Sequence, residues 1–204
     1  MRHLVVAISG ASGGRYALRL LQAVHDAGID VTIAVSTGGA RVLAIEEGVT
    51  IDPSAPDASK LFRARRGKSA PAVRTLALDD IAAGVCSGTY AADAMVVIPC
   101  SMGTLSRIAH GNSGNVIERS ADVMLKEGRP LVLVPREAPM SRIHLENLLR
   151  AHDAGAAIVP ASPGFYHHPK TIEDLVDQVV TKVLDRLGVR LELIRRWKTP
   201  RSRP

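Results

Sequence analysis

The chain has 204 residues, 46% hydrophobic, 3% aromatic and 23% charged, enough for one α/β domain with a full core and too few for two ordinary ones. No run of apolar residues is long enough to be a membrane-spanning helix. The net charge of +6 does not describe a nucleic-acid binder: basic residues crowd into 195–204 (RRWKTPRSRP) and 63–68 (RARRGK), with too few aromatics to make an interleaved binding face.

The first element predicted is a buried strand at 3–9. It follows a basic residue, as a secretion signal would, but the apolar run is short and flows into a glycine turn. Helix 15–27 comes next, with Leu18, Leu21 and Val24 on one stripe. Strand 31–36 follows, and then a long surface excursion over 50–72. A weaker strand is expected at 73–78. Strand 95–99 leads into PCSMGT and a helix, and helix 114–126 into strand 130–135. Helix 141–154, strand 156–160 and helix 171–187 complete the series. Near-continuous apolar strands alternating with amphipathic helices predict a single-domain, Rossmann-like three-layer α/β sandwich around a parallel sheet. Its domain is expected to cover 1–190, leaving 191–204 as a basic tail that contains Trp197. Cys86 and Cys100 fit neither a disulfide framework nor a metal-ligand spacing, and point to a reducing cytoplasm.

Ligands of such sheets sit at the carboxyl ends of the strands, where the strand order reverses. Strand one ends in SGASGG (9–14), a turn that lets backbone approach an anion at a helix start; Ser12 adds a hydroxyl. Strand two ends Val35-Ser36-Thr37-Gly38, with hydroxyls where a dinucleotide site would place a ribose-gripping acid. A mononucleotide with one terminal phosphate fits better than NAD. The third such end, Pro99-Cys100-Ser101-Met102-Gly103-Thr104, is again rich in hydroxyls, which also serve as ordinary helix caps. A fourth strand ends in Arg136-Glu137 between Pro135 and Pro139. There Arg136 offers a planar cation and Glu137 a candidate proton-transfer group, a strand-end salt bridge being the alternative. Tyr166 stands in a Gly/Pro-bounded loop, and Lys182 on the following helix can neutralise a phosphate. The adjacent His167 and His168 lack the accompanying ligands of a metal site.

With these residues assembled, the chain resembles the UbiX/Pad flavin prenyltransferases, within the homo-oligomeric flavin-containing Cys decarboxylase superfamily. The resemblance runs from GASG at 10–13 to RRW at 195–197. Its most specific stretch is 87–139, which carries PCSM, ERSADVMLKE and PREAP in order. It implies FMN contacts at Gly10, Ala11, Ser12, Ser36, Ser101, Met102, Gly103, Thr104 and Arg136, and dimethylallyl phosphate contacts at Tyr166 and Lys182. Glu137, Ser12, Glu46, Lys126 and Arg119 would surround the transferred group, some of them donated by a neighbouring subunit of a homododecamer, and Trp197 would close over the site. The implied reaction joins the dimethylallyl group to N5 and C6 of reduced FMN without a metal. The product, prenylated FMN, would pass to a UbiD-type decarboxylase. The alternatives are an FMN-dependent decarboxylase of a cysteine-containing or aromatic acid, and a non-catalytic flavin carrier.

Overall fold

The computed structural model describes residues 1–62 and 70–196. Six strands, β1 (His3–Ile8), β2 (Asp30–Val35), β3 (Val73–Leu76), β4 (Ala94–Cys100), β5 (Leu131–Pro135) and β6 (Ala157–Ile158), form one sheet in the order β3-β2-β1-β4-β5-β6. Every pairing is parallel. Six α-helices lie between and after them: α1 (Gly14–Asp26), α2 (Thr37–Glu47), α3 (Met102–Ala109), α4 (Val116–Lys126), α5 (Arg142–Asp153) and α6 (Ile172–Arg186).

Alternation along the central strands splits the core into two layers. Leu4, Val6 and Ile8 of β1 point to one face, with Leu20 and Leu21 of α1, Leu43 of α2 and Val180 and Val183 of α6. Val5 and Ala7 point to the other, with Leu105 of α3, Ile117 and Met124 of α4 and Ala151 of α5. Each fully buried Leu, Ile or Val contributes roughly 1.5–3 kcal/mol relative to exposure, so both faces of the sheet must be covered. The expected three-layer α/β architecture is the one observed.

Three departures have physical causes. Helix α2 was not predicted: it opens on two glycines and buries only Gly39 and Leu43, with Ile45 84% exposed, so it carries no apolar stripe. Residue 39 is a glycine because a Cβ there would lie 2.4 Å from the Ile8 carbonyl oxygen; the start of α2 rests directly on the end of β1. Second, the excursion expected to run over the surface dips inward, burying Ile51, Leu61 and Phe62, with the Phe62 ring edge-on to His25 at 5.2 Å. Its basic cluster, 63–68, lies outside the described residues. Third, β6 spans only Ala157–Ile158, an edge strand shorter than the five residues predicted. Among the described residues, no helix is long and apolar enough to cross a membrane.

Candidate active site

The strand order reverses between β1 and β4, which are neighbours in the sheet although β2 and β3 intervene in sequence. Connections leave β1 and β4 toward opposite faces, opening a crevice at their carboxyl ends. Ser9, fully buried, joins the two strand ends: its hydroxyl donates to the Pro99 carbonyl at 3.0 Å and accepts from the Ser101 amide at 2.8 Å. The loops after β1 and β2 meet backbone to backbone, since a Cβ on Gly10 would stand 3.0 Å from the Gly38 Cα. Any side chain at Gly10 would push these loops apart.

Two helices begin on this rim with hydroxyl caps. The Ser36 hydroxyl accepts from the Gly39 amide at 3.0 Å, and the Ser101 hydroxyl accepts from the Thr104 amide at 3.2 Å while donating to the Thr104 hydroxyl at 3.1 Å. Capping satisfies the third amide of each helix. The first two, Thr37 and Gly38 in α2 and Met102 and Gly103 in α3, stand at the positive end of the helix dipole, where an anion is favoured.

Helix α1 behaves differently from the expectation that its opening amides would meet a ligand. The carboxylate of Glu46, from α2, accepts from the amides of Gly13 at 2.9 Å and Gly14 at 3.0 Å. Partial burial raises the Glu46 pKa, but hydrogen bonds from Ser12, Gly13 and Gly14 and the charge of Arg136 outweigh it, leaving the carboxyl below its ordinary value. Glu46 is thus an anion already seated on α1, beside Ser12 and within the field of Arg136. Tyr16 shares that field: burial raises its phenol pKa and Arg136 opposes the rise. The ring of Tyr16 occupies the space a Gly13 side chain would fill, 2.7 Å from an added Cβ. Residue-type patterning did not single out Tyr16. Cys100, the last residue of β4, is fully buried as a neutral thiol, pushed up to about 12 by burial against the opposing pull of Arg107 and a backbone contact from Leu105.

Arg136 is exposed and Glu137 half-buried just past β5. The Glu137 carboxylate accepts from the Ala138 amide at 3.1 Å, and the following Ala138–Pro139 bond is cis. Arg136 and Glu137 therefore join Gly10, Ala11, Ser12, Ser36, Glu46 and 101–104 at one end of the sheet.

Tyr166 follows β6 at that end, whereas Lys182 lies toward the other: α6 runs beside α1 with Glu173 against Arg15 and Asp177 against Arg19, so Lys182 falls level with the end of α1. An added Cβ on Gly164 would touch the Tyr166 ring at 2.9 Å and Gln178 Nε2 at 3.5 Å, which places Tyr166 against α6 one turn before Lys182. Lys182 lines a cavity of about 410 Å³ with Ser162, Gln178 and Val159. Two or three strand spacings, roughly 10–15 Å, separate this corner beside β6 from the β1/β4 crevice.

Lys126 does not reach the rim within one chain. It ends α4, which leads into the amino end of β5, paired there with Glu127 at 3.1 Å. Arg136 follows the opposite end of that strand, roughly 16 Å away at strand rise. Arg119, earlier on α4, pairs with Asp122 at 2.9 Å. Trp197 lies outside the described residues. Among the described residues, no group of three or more His, Cys, Asp or Glu could hold a metal ion.

A reversed-order parallel sheet with glycine turns, two capped helix starts and a cation at one crevice defines a nucleotide-type binding protein of the doubly wound α/β class. The family model described as Flavoprotein matches residues 1–184. A flavin prenyltransferase UbiX of Pseudomonas aeruginosa is 47% identical over 195 residues, covering 95% of this chain and 93% of that protein. A crystal structure of AnUbiX (PadA1) in complex with FMN and dimethylallyl pyrophosphate superposes with a TM-score of 0.84 at 38% identity, covering 97% of this chain and 98% of the other. A dodecameric FMN-dependent UbiX-like decarboxylase from Escherichia coli O157:H7 superposes with a TM-score of 0.82 at 38% identity, covering 97% and 100%. Given full-length similarity and a shared fold, this chain belongs to the UbiX-type flavin prenyltransferases of the flavoprotein family.

Proposed function

We propose that the protein transfers the dimethylallyl group of dimethylallyl phosphate to reduced FMN, making prenylated FMN for a UbiD-type decarboxylase in the cytoplasm. The observation that carries the reading is the gathering of Gly10–Ser12, Ser36, 101–104 and Arg136 around one crevice, in a chain that superposes on a relative solved with FMN and dimethylallyl pyrophosphate. The residues present fit a flavin mononucleotide: close-packed glycine backbone admits the ligand, and helix-start amides and hydroxyls suit one phosphate. No carboxylate waits at the end of β2 for a second nucleotide's ribose.

When bound, reduced FMN supplies N5 and C6 as the positions alkylated. Ser36, the amides of α2 and α3, Ser101, Thr104 and Arg136 hold and orient it. Tyr166 and Lys182, both away from the β1/β4 crevice of their own chain, bind the donor's phosphate in the site of a neighbouring copy and stabilise it as negative charge gathers on departure. Glu137, half-buried at the crevice, moves the proton. Glu46 stays ionised beside Ser12, a fixed negative charge seated on the opening amides of α1.

Arg119 and Lys126 come from a neighbouring copy, because α4 carries Lys126 away from its own rim. Homo-oligomerisation, a dodecamer by analogy with the E. coli relative, agrees with the apolar side chains that α5 exposes: Ile143 (68%), Leu145 (54%) and Leu149 (60%).

Glu137→Gln separates binding from chemistry. The variant is expected to titrate with FMN as the parent does and to form prenylated flavin at least ~100-fold more slowly, the usual contribution of a positioned acid or base. Unimpaired turnover by mass spectrometry would remove Glu137 from the mechanism. Failure of the parent to bind FMN would remove the whole assignment.

A further inference from the structure

Among the described residues Glu118 is the only fully buried carboxylate, 2% exposed, and nothing in the proposed chemistry uses it. A buried carboxylate needs donors on its lone pairs, and this one has three. Its Oε2 accepts from the Gly114 amide at 3.0 Å and its Oε1 from the Asn115 side chain at 2.8 Å. Arg107 Nε, on α3, also donates to Oε1. Asn115 in turn caps α4, accepting from the amides of Ile117 and Glu118 at 3.0 Å each. Glu118 therefore fastens the 110–115 loop and α4 to α3.

The other arm of the Arg107 guanidinium reaches the first turn of α3. Its Nη2 donates to the Thr104 hydroxyl at 3.5 Å, and its Nη1 stands 3.6 Å from where a Gly103 Cβ would be. A threonine hydroxyl has one proton to give and two lone pairs to fill. At Thr104 the two donors are Ser101, at 3.1 Å, and Arg107. With both acceptor positions taken, the Thr104 hydroxyl can act toward anything further only as a donor.

We propose that Arg107, anchored by Glu118, is a positioning residue for flavin binding: it locks the Thr104 hydroxyl as a hydrogen-bond donor to an anionic or carbonyl oxygen of FMN. This rests on the reading of 101–104 as flavin contacts. Glu118 sets the guanidinium and Arg107 sets the hydroxyl; neither touches the ligand. At 3.5 Å the Arg107–Thr104 contact is long, so its influence is chiefly electrostatic and smaller than that of a direct ligand contact.

The test is a double-mutant cycle on FMN affinity, read by quenching of flavin fluorescence in the full chain. Thr104→Val is expected to weaken binding ~10-fold and Arg107→Met ~5-fold, with Arg107→Met/Thr104→Val no weaker than Thr104→Val alone, because contacting residues couple and independent ones do not. Under steady-state turnover the Arg107→Met loss is expected in the KM for reduced flavin and not in kcat. Arg107→Lys keeps a cation for Glu118 but lacks the fork, so it is expected to melt with the parent and still lose affinity. Losses that multiply in the double variant, an Arg107→Met protein that binds FMN like the parent, or an Arg107→Lys protein with full affinity would each overturn the proposal. In those cases the parent still binds flavin and the functional reading stands; a parent that does not bind overturns both.

Discussion

Both ends of the sheet carry polar side chains and use them differently. At the amino end, side chains are spent on the protein's own backbone. Asp93 accepts from the amides of Arg2 at 2.5 Å and His3 at 2.9 Å, and Asp30 from the Ala72 amide at 2.6 Å. Arg129 donates to the carbonyls of Tyr90 and Gly88 at 2.7 and 2.6 Å, and His3 Nε2 pairs with the Thr32 hydroxyl at 2.8 Å. These contacts are closed, carboxylates and a guanidinium tying strand starts and turns together. At the carboxyl end Ser9, Ser36, Ser101 and Glu46 also bond backbone, but the caps on α2 and α3 satisfy only the third amide of each helix and leave the first two for a ligand. Polar composition alone does not separate an anchoring end from a binding end; it is whether the groups are saturated by the chain itself.

The contrast can be broken most severely at Gly39. Gly39→Ala puts a methyl 2.4 Å from the Ile8 carbonyl oxygen, and the start of α2 must move. A loss of about 3 kcal/mol in chemical denaturation, at the upper end for overpacking, is expected together with lost flavin binding. Wild-type stability would mean that the β1–α2 contact is not rigid.

Next in size, Asp93→Ala and Ser101→Ala probe the two ends with comparable losses. Each removes an acceptor from backbone amides and is expected to cost about 1 kcal/mol. Only Ser101→Ala should also weaken FMN binding, by several-fold in a fluorescence titration. Equal flavin affinities in the two variants would erase the distinction between the ends.

The smallest effect is acid sensitivity. Backbone hydrogen bonds from Arg2 and His3, less the opposing effect of burial, lower the Asp93 pKa. Glu46 is lowered too, its upward push from burial outweighed by the bonds and charge around it. A depressed folded pKa contributes stability that is complete above the ordinary carboxylate value, about 4, and is lost as pH falls through the depressed one. Both groups are largely solvent-exposed, so screening keeps the effect small. Asp93→Asn should flatten the decline of melting temperature below pH 4 by only about 1–2 °C. An unchanged slope would mean that Asp93 is as well solvated in the unfolded chain.

Much of this was legible beforehand, and the remainder has definite causes. Strands β1, β2, β4 and β5 announce themselves because burial on both faces leaves near-continuous apolar runs rich in Val, Ile, Leu and Ala. Helices α1, α5 and α6 show a stripe. The serine-ended turns were readable because caps and anion sites demand the same residue types. Helix α2 was hidden by its glycines, which serve close approach to β1 rather than helix formation. The seating of Glu46 on Gly13 and Gly14 joins residues more than thirty positions apart, and no local pattern encodes it. The same holds for the pairing of Arg107 with Glu118, each of which reads alone as an ordinary helix residue, whereas Thr104 stands in a hydroxyl-rich turn that the sequence does display. Lys126 could be assigned to the site by resemblance, but its distance from Arg136 emerges only when α4 is laid against β5.

The most direct measurement is the mass of the flavin after anaerobic incubation of the purified protein with reduced FMN and dimethylallyl phosphate. A flavin heavier by one five-carbon unit, formed only when both substrates are present, is the predicted result. Unmodified FMN recovered from protein that demonstrably binds it would contradict prenyl transfer.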